Sequence, residues 1–282
     1  MLDFKNYLIE QNKTQNTIDN YIRNIQNFKK WYKDTTNDEL KILYRPNILD
    51  YKSYLRNIKK TKSGQPLKAE TINANLSAIM KYNEFLVEQE IQKEIVLSDR
   101  DFIKIQKQRI NPCTVDKLDV EEFRQQILKN ESKRDYAIIT LLAYAGLRIS
   151  ECLNIKLNDF DLDIKELIIR NGKGQKQRLV YLNDKIVTAI KEYLKERNSK
   201  SEYLFCSRQS NKVCRSRINQ IFNKYSKVMH PHLLRHFAFT NMADNGLSIV
   251  EIAMLGGHSS TRTTEIYINP SQKKIKEKLN CL

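Results

Sequence analysis

The stretch "GGHSSTRTTEIYINP" sets His258 nine positions ahead of Tyr267. Further back, "HPHLLRHFAFTNMADNG" carries His232, Arg235 and His236, and "AYAGLRISECL" carries Arg148 with Glu151 three residues on. "RNGKGQKQR" holds Lys173 between two glycines, where backbone can approach a ligand closely; Lys176 and Arg178 compete for the same role. Two arginines, a lysine, two histidines and a tyrosine are what phosphoryl transfer from a DNA backbone needs in the absence of a metal or other cofactor. A phosphodiester passing through a five-coordinate state gains negative charge, and paired arginines neutralise it with fixed, bidentate geometry. A tyrosine hydroxyl has a pKa of about 10, so forming its anion at neutral pH costs roughly 4 kcal/mol, which surrounding positive charge and a histidine base offset. The departing 5′ oxygen must gain a proton, and a mobile lysine can supply it.

Each place taken singly has a plainer reading. Arg148 and Glu151 would form a pair that only tethers a helix end. The glycine-flanked lysine would sit in a solvated hairpin turn, the histidines would be a structural cluster, and Tyr267 a packed aromatic. Their combination is what favours chemistry.

Bulk composition fits a nucleic-acid partner. The chain has 282 residues, with 49 Lys+Arg against 33 Asp+Glu for a net charge of +16. The basic excess falls on both parts of the chain, which suits a long polyanion gripped from two sides; a protein that merely happens to be basic is the alternative. A hydrophobic share of 40%, with 7 glycines and 5 prolines, excludes disorder. The longest near-continuous apolar run, "YAIITLLAYAGL", is shorter than the roughly 20 residues that cross a bilayer, and no signal peptide opens the chain. Five cysteines at scattered spacing and four histidines offer no metal-ligand cluster. The expectation is a cytoplasmic protein with reduced thiols, no metal and no membrane partner.

These residues need elements to position them. The first part reads as four helices, with Thr14 as N-cap of the second and Ile18, Tyr21, Ile22, Ile25, Phe28 and Trp31 at helical spacing. The third follows Pro46, "KTKSGQP" makes a loop, and the fourth aligns Ile72, Leu76, Ile79, Tyr82, Phe85 and Leu86. Residues 1–97 thus form one helical domain, 98–112 a linker, and 113–282 a second domain. There, "TVDKLDVEEFRQQIL" reads as a capped helix and "SKRDYAIITLLAYAGL" as a buried one. "IKLNDFDLDIKELIIRNGKGQKQRLVYLND" alternates as three short antiparallel strands do. Helices resume at "KIVTAIKEYLKER" and continue nearly to the end. One starts near Pro231, placing His232, Arg235 and His236 on a common face, and ends near Gly246. "SIVEIAMLGG" is an amphipathic helix ending just before His258. The fold class is mainly α with a small antiparallel β-sheet, an α+β catalytic domain behind a helical one.

With the residues in this order, the sequence resembles the tyrosine recombinases, the lambda-integrase family, and most of all its simple Xer-like bacterial members. "AYAGLRISEC" is similar to the family's first arginine box, "GKGQKQRLVYL" to its hairpin lysine motif, "HPHLLRH" to its H-x-x-R box, and "MLGGHSSTRTTEIYI" to its final His and Tyr box. The resemblance implies that Arg148 and Arg235 clamp the scissile phosphate and that Lys173 protonates the leaving oxygen. It makes His232 an acid/base group, His258 a phosphate-positioning one, and Tyr267 the nucleophile that forms a 3′-phosphotyrosyl bond. Glu151 and His236 would be supporting residues, His236 more structural than chemical. It further implies a SAM-like core-binding domain at residues 1–97 and a C-shaped two-domain clamp on double-stranded DNA with paired half-sites. Four protomers would exchange strands through a Holliday junction without ATP or metal. "SQKKIKEKLNCL" would dock either on a neighbouring protomer or on its own domain.

Rival readings are a type IB topoisomerase, which shares the chemistry as a monomer, and a DNA-binding regulator with an inert tyrosine. The biological task is open between cointegrate resolution, integration or excision of a mobile element, and chromosome or plasmid dimer resolution. The lack of a long amino-terminal arm-binding extension leans toward resolution between repeated sites of a mobile element.

Overall fold

The computed structural model describes residues 2–105, 115–170 and 177–257. Lys173, Lys176, His258, Tyr267 and the segment "SQKKIKEKLNCL" lie outside the described residues. The chain divides into two compact units, Met1–Lys107 and Gln108–Leu282.

The first unit is built from α1 (Leu2–Glu10), α2 (Gln15–Thr36), α3 (Arg45–Asn57) and α4 (Ala69–Glu88). The Thr14 hydroxyl accepts the Thr17 amide, the expected cap of α2, and Asn37 ends that helix in the left-handed conformation. The anticipated stripe of α4 is buried from Ile72 to Leu86. On α2, Ile18, Ile25 and Phe28 reach the core, whereas Tyr21, Ile22 and Trp31 pack on its edge. "KTKSGQP" folds as a tight hairpin closed by a bridge between Lys60 and Pro66, with Gly64 at φ +78°. Beyond α4, the first residues of the expected linker stay with this unit. Buried Asp101 pairs with Arg45 at 2.6 Å, and Asn73 exchanges two 2.9 Å hydrogen bonds with the backbone of Ile103.

The second unit opens with α5 (Lys117–Asn130), capped reciprocally by Asp116 and Asp119, and α6 (Lys133–Tyr144), capped by Ser132. The run from Ala137 to Ala145 is buried throughout because α6 is the central helix, packed by α5 as well as by α8 and α10 defined below. After α7 (Ile149–Leu153) come β1 (Phe160–Asp161), β2 (Glu166–Ile169) and β3 (Arg178–Tyr181), antiparallel in the order β1-β2-β3. Leu167 lies opposite Val180; these two and Ile169 face the core, while Ile168 and Leu179 face outward. α8 (Asp184–Glu196), α9 (Arg215–Tyr225), α10 (Pro231–Asp244) and α11 (Ile249–Gly256) complete the described part. None of the described helices is long and apolar enough to cross a membrane.

Candidate active site

The turn after α6 decides where the first arginine goes. Gly146 has φ +62°, and a Cβ there would lie 2.6 Å from Cε1 of Phe239 on α10, so the turn needs glycine both for its backbone and for the close packing. It delivers Arg148 to the N-cap of α7, one-third exposed. Glu151 accepts the Arg148 amide at 2.8 Å and its guanidinium at 2.8 Å. The i, i+3 pairing read from the sequence is present, but it is one part of a larger network.

Arg178, at the start of β3, grips the same carboxylate with both terminal nitrogens, at 3.1 and 2.7 Å, and donates from Nε to the Leu255 carbonyl at 2.8 Å. This is the residue that sequence reading set beside Lys173 as a competitor. Its fork is spent on Glu151 and the end of α11, so it works as a brace and not as a mobile proton donor. Arg235 is buried at 4% exposure, with Nη1 on the Gly146 carbonyl at 2.5 Å, Nη2 on the Gly256 carbonyl at 2.8 Å, and its plane over the Phe239 ring. Its Nη1 lies 3.8 Å from Glu151. Burial alone would raise the Glu151 carboxyl; the Arg178 hydrogen bonds, the Arg148 amide and the arginine charges outweigh it and hold the pKa down to about 2. Three guanidiniums share one carboxylate, which leaves a net positive site.

Arg148 and Arg235 border a cavity of about 390 Å³, lined also by Arg215, Asn219, His230 and His232 and by the residues from Leu147 to Ser150. His232 is one of its lining side chains. Partial burial, followed by the charges of His230, Arg235 and Arg148, pushes its pKa below the ordinary imidazole value, which favours the neutral form near pH 7. His236, one turn on, is half-buried beside Thr240 and outside the cavity lining. Sequence reading placed His232, Arg235 and His236 on one face; the first two reach the cavity. It missed Arg215, Asn219 and His230. The spacing of Arg215 and Asn219 at i, i+4 on α9 puts them on one face but does not say what that face meets. A larger groove of about 1260 Å³ between the starts of α6 and α9 contains none of the candidate residues. Among the described residues, no group of three or more His, Cys, Asp and Glu side chains is placed to hold a metal.

Buried Arg235 and partly exposed Arg148, braced by one carboxylate beside two lining histidines, are suited to an oxyanion with a phosphate's geometry. The family comparison agrees. Residues 114–274 match the phage integrase family, and residues 2–90 match its N-terminal SAM-like domain. The chain belongs to the phage integrase family, the tyrosine recombinases. It is therefore a site-specific recombinase enzyme. The chain is 45% identical to a TnP I resolvase of Bacillus thuringiensis over 99% of its length and 98% of that protein's. It is 30% identical to tyrosine recombinase XerC of Leptospira interrogans, over 97% of this chain and 89% of the relative. Its fold is shared with the XerH site-specific recombinase, solved in a post-cleavage complex with a palindromic difH substrate (TM-score 0.73, 21% identity, 93% of this chain and 78% of that one).

Proposed function

We propose that this recombinase cuts double-stranded DNA by attack of the Tyr267 hydroxyl on a backbone phosphorus, forming a 3′-phosphotyrosyl bond and releasing a 5′ hydroxyl. Arg148 and Arg235 hold the non-bridging oxygens, Glu151 and Arg178 fix the two guanidiniums, and His232 takes up the tyrosine proton. Lys173 protonates the leaving 5′ oxygen and His258 positions the phosphate. Attack of a second strand's 5′ hydroxyl on the phosphotyrosine rejoins the DNA, pairwise through a Holliday junction, in a tetramer on two sites built from paired half-sites. Residues 1–97 act as the helical DNA-binding domain, 98–112 as linker and 113–282 as catalytic domain, together closing as a clamp. The reaction belongs in the cytoplasm. The task we assign is resolution or excision between repeated sites of a mobile element, which the likeness to a TnP I resolvase supports.

The observation that carries this reading is the Arg148–Glu151–Arg235 arrangement around the His232 cavity. Removing one such preorganised donor typically raises the barrier by about 3 to 4 kcal/mol. The test is a supercoiled plasmid with two directly repeated target sites. Two separate circles, with a protein-linked 3′ phosphate trapped on a nicked duplex, are expected. Relaxation of a one-site plasmid without exchange would point to a topoisomerase, and tight binding without a covalent adduct to a regulator.

A further inference from the structure

One histidine of the cavity has no part in that chemistry. His230 is the N-cap of α10, and its Nδ1 accepts the Leu233 amide at 3.1 Å. A ring nitrogen that accepts carries no proton, so the neutral imidazole keeps its hydrogen on Nε2. Protonating Nδ1 would set a donor against a donor and break the cap; the fold itself selects the Nε2–H tautomer. The same ring lines the cavity and lies parallel to that of His232, 12° between planes and 6.5 Å between centroids. That spacing is of the order of the distance between successive phosphates on one DNA strand. The groups that face it are Arg148 from the start of α7, Arg215 from α9, and His232 and Arg235 from α10, with no carboxylate among the described lining residues. Capping alone does not call for imidazole, since Asn, Asp and Ser are better caps. What imidazole adds is a second ring nitrogen, Nε2–H, that can donate to a ligand while Nδ1 holds the cap.

We propose that His230 is a DNA-binding residue of this site, donating from Nε2–H to a non-bridging oxygen of the phosphate adjacent to the scissile one. The inference rests on Tyr267-dependent cleavage at this cavity. His230→Asn separates the two roles of the residue, because asparagine keeps the cap but is too short to present a donor where the imidazole Nε2 lies. His230→Ala removes both. Adduct formation on a nicked suicide duplex is expected to slow about tenfold to a hundredfold in each variant, as for a lost hydrogen bond to a charged group. H230N should unfold near the wild-type temperature and H230A below it. A neutral methylphosphonate identifies the partner: at one phosphate flanking the scissile one, it should slow the wild type by the same factor and H230N no further. H230N cleaving at the wild-type rate, or additive effects at both flanking phosphates, would overturn the assignment and leave His230 a cap. A wild-type chain that forms no adduct on any duplex is a separate result; it would overturn the cleavage reading and this inference with it.

Discussion

Glu151 is the residue on which the arginines depend. Its carboxyl lies near pKa 2 in the fold against an ordinary 4.5, because bonds from Arg178 and Arg148 outweigh burial. A depressed acid stabilises the fold fully above pH 4.5, and that contribution, on the order of 3 kcal/mol, is lost as pH falls through the folded value. Arg178→Gln should therefore raise the Glu151 pKa, move acid unfolding to higher pH, and cost about 3 to 5 kcal/mol at neutral pH as a broken buried pair. Arg178→Lys, which keeps charge but not the fork, should fall between. Unfolding midpoints against pH measure this, and an unmoved acid limb in R178Q would show that other groups hold Glu151 down. The sequence pairs Glu151 with Arg148 because three residues in a helix share a face. Nothing in it could assign Arg178, 27 positions away, to the same carboxylate, since long-range pairing leaves no local periodicity.

At the scale of elements, the site is held by a turn between helices. Gly146 puts Arg148 beside the carbonyl that Arg235 uses, and its Cα lies against Phe239. Gly246 also has positive φ, +95°, but nothing lies within 4 Å of a Cβ there. Gly246→Ala should cost about 1 kcal/mol of backbone strain. Gly146→Ala adds overpacking of the core, about 1 to 3 kcal/mol more, and should slow cleavage as well. Paired chemical unfolding curves give the difference; equal losses would remove the packing argument. The helices themselves were legible because their start signals are local: Thr14 caps α2 and Pro231 opens α10 where the sequence sets them. The three-stranded sheet followed from alternation in the same way. The segment after α8 was not legible. Its carbonyls at Ser199, Tyr203 and Leu204 are satisfied by the single guanidinium of Arg197, an arrangement without a repeat to detect.

Among the described residues, the two large cores, one gathered around Phe4 and Phe28 and the other around α6, belong to a chain of net charge +16. Each unit can hold its own basic surface against a polyanion. In the function proposed above, the cationic cavity of the second unit makes one phenol an attacker of DNA phosphorus. Tyr267→Phe deletes one oxygen and isolates that role. Incubated with a suicide duplex, the wild-type chain should become covalently attached to the 3′ phosphate, while Y267F binds the same duplex and stays free of it. DNA attached to Y267F would show that Tyr267 is not the attacking group.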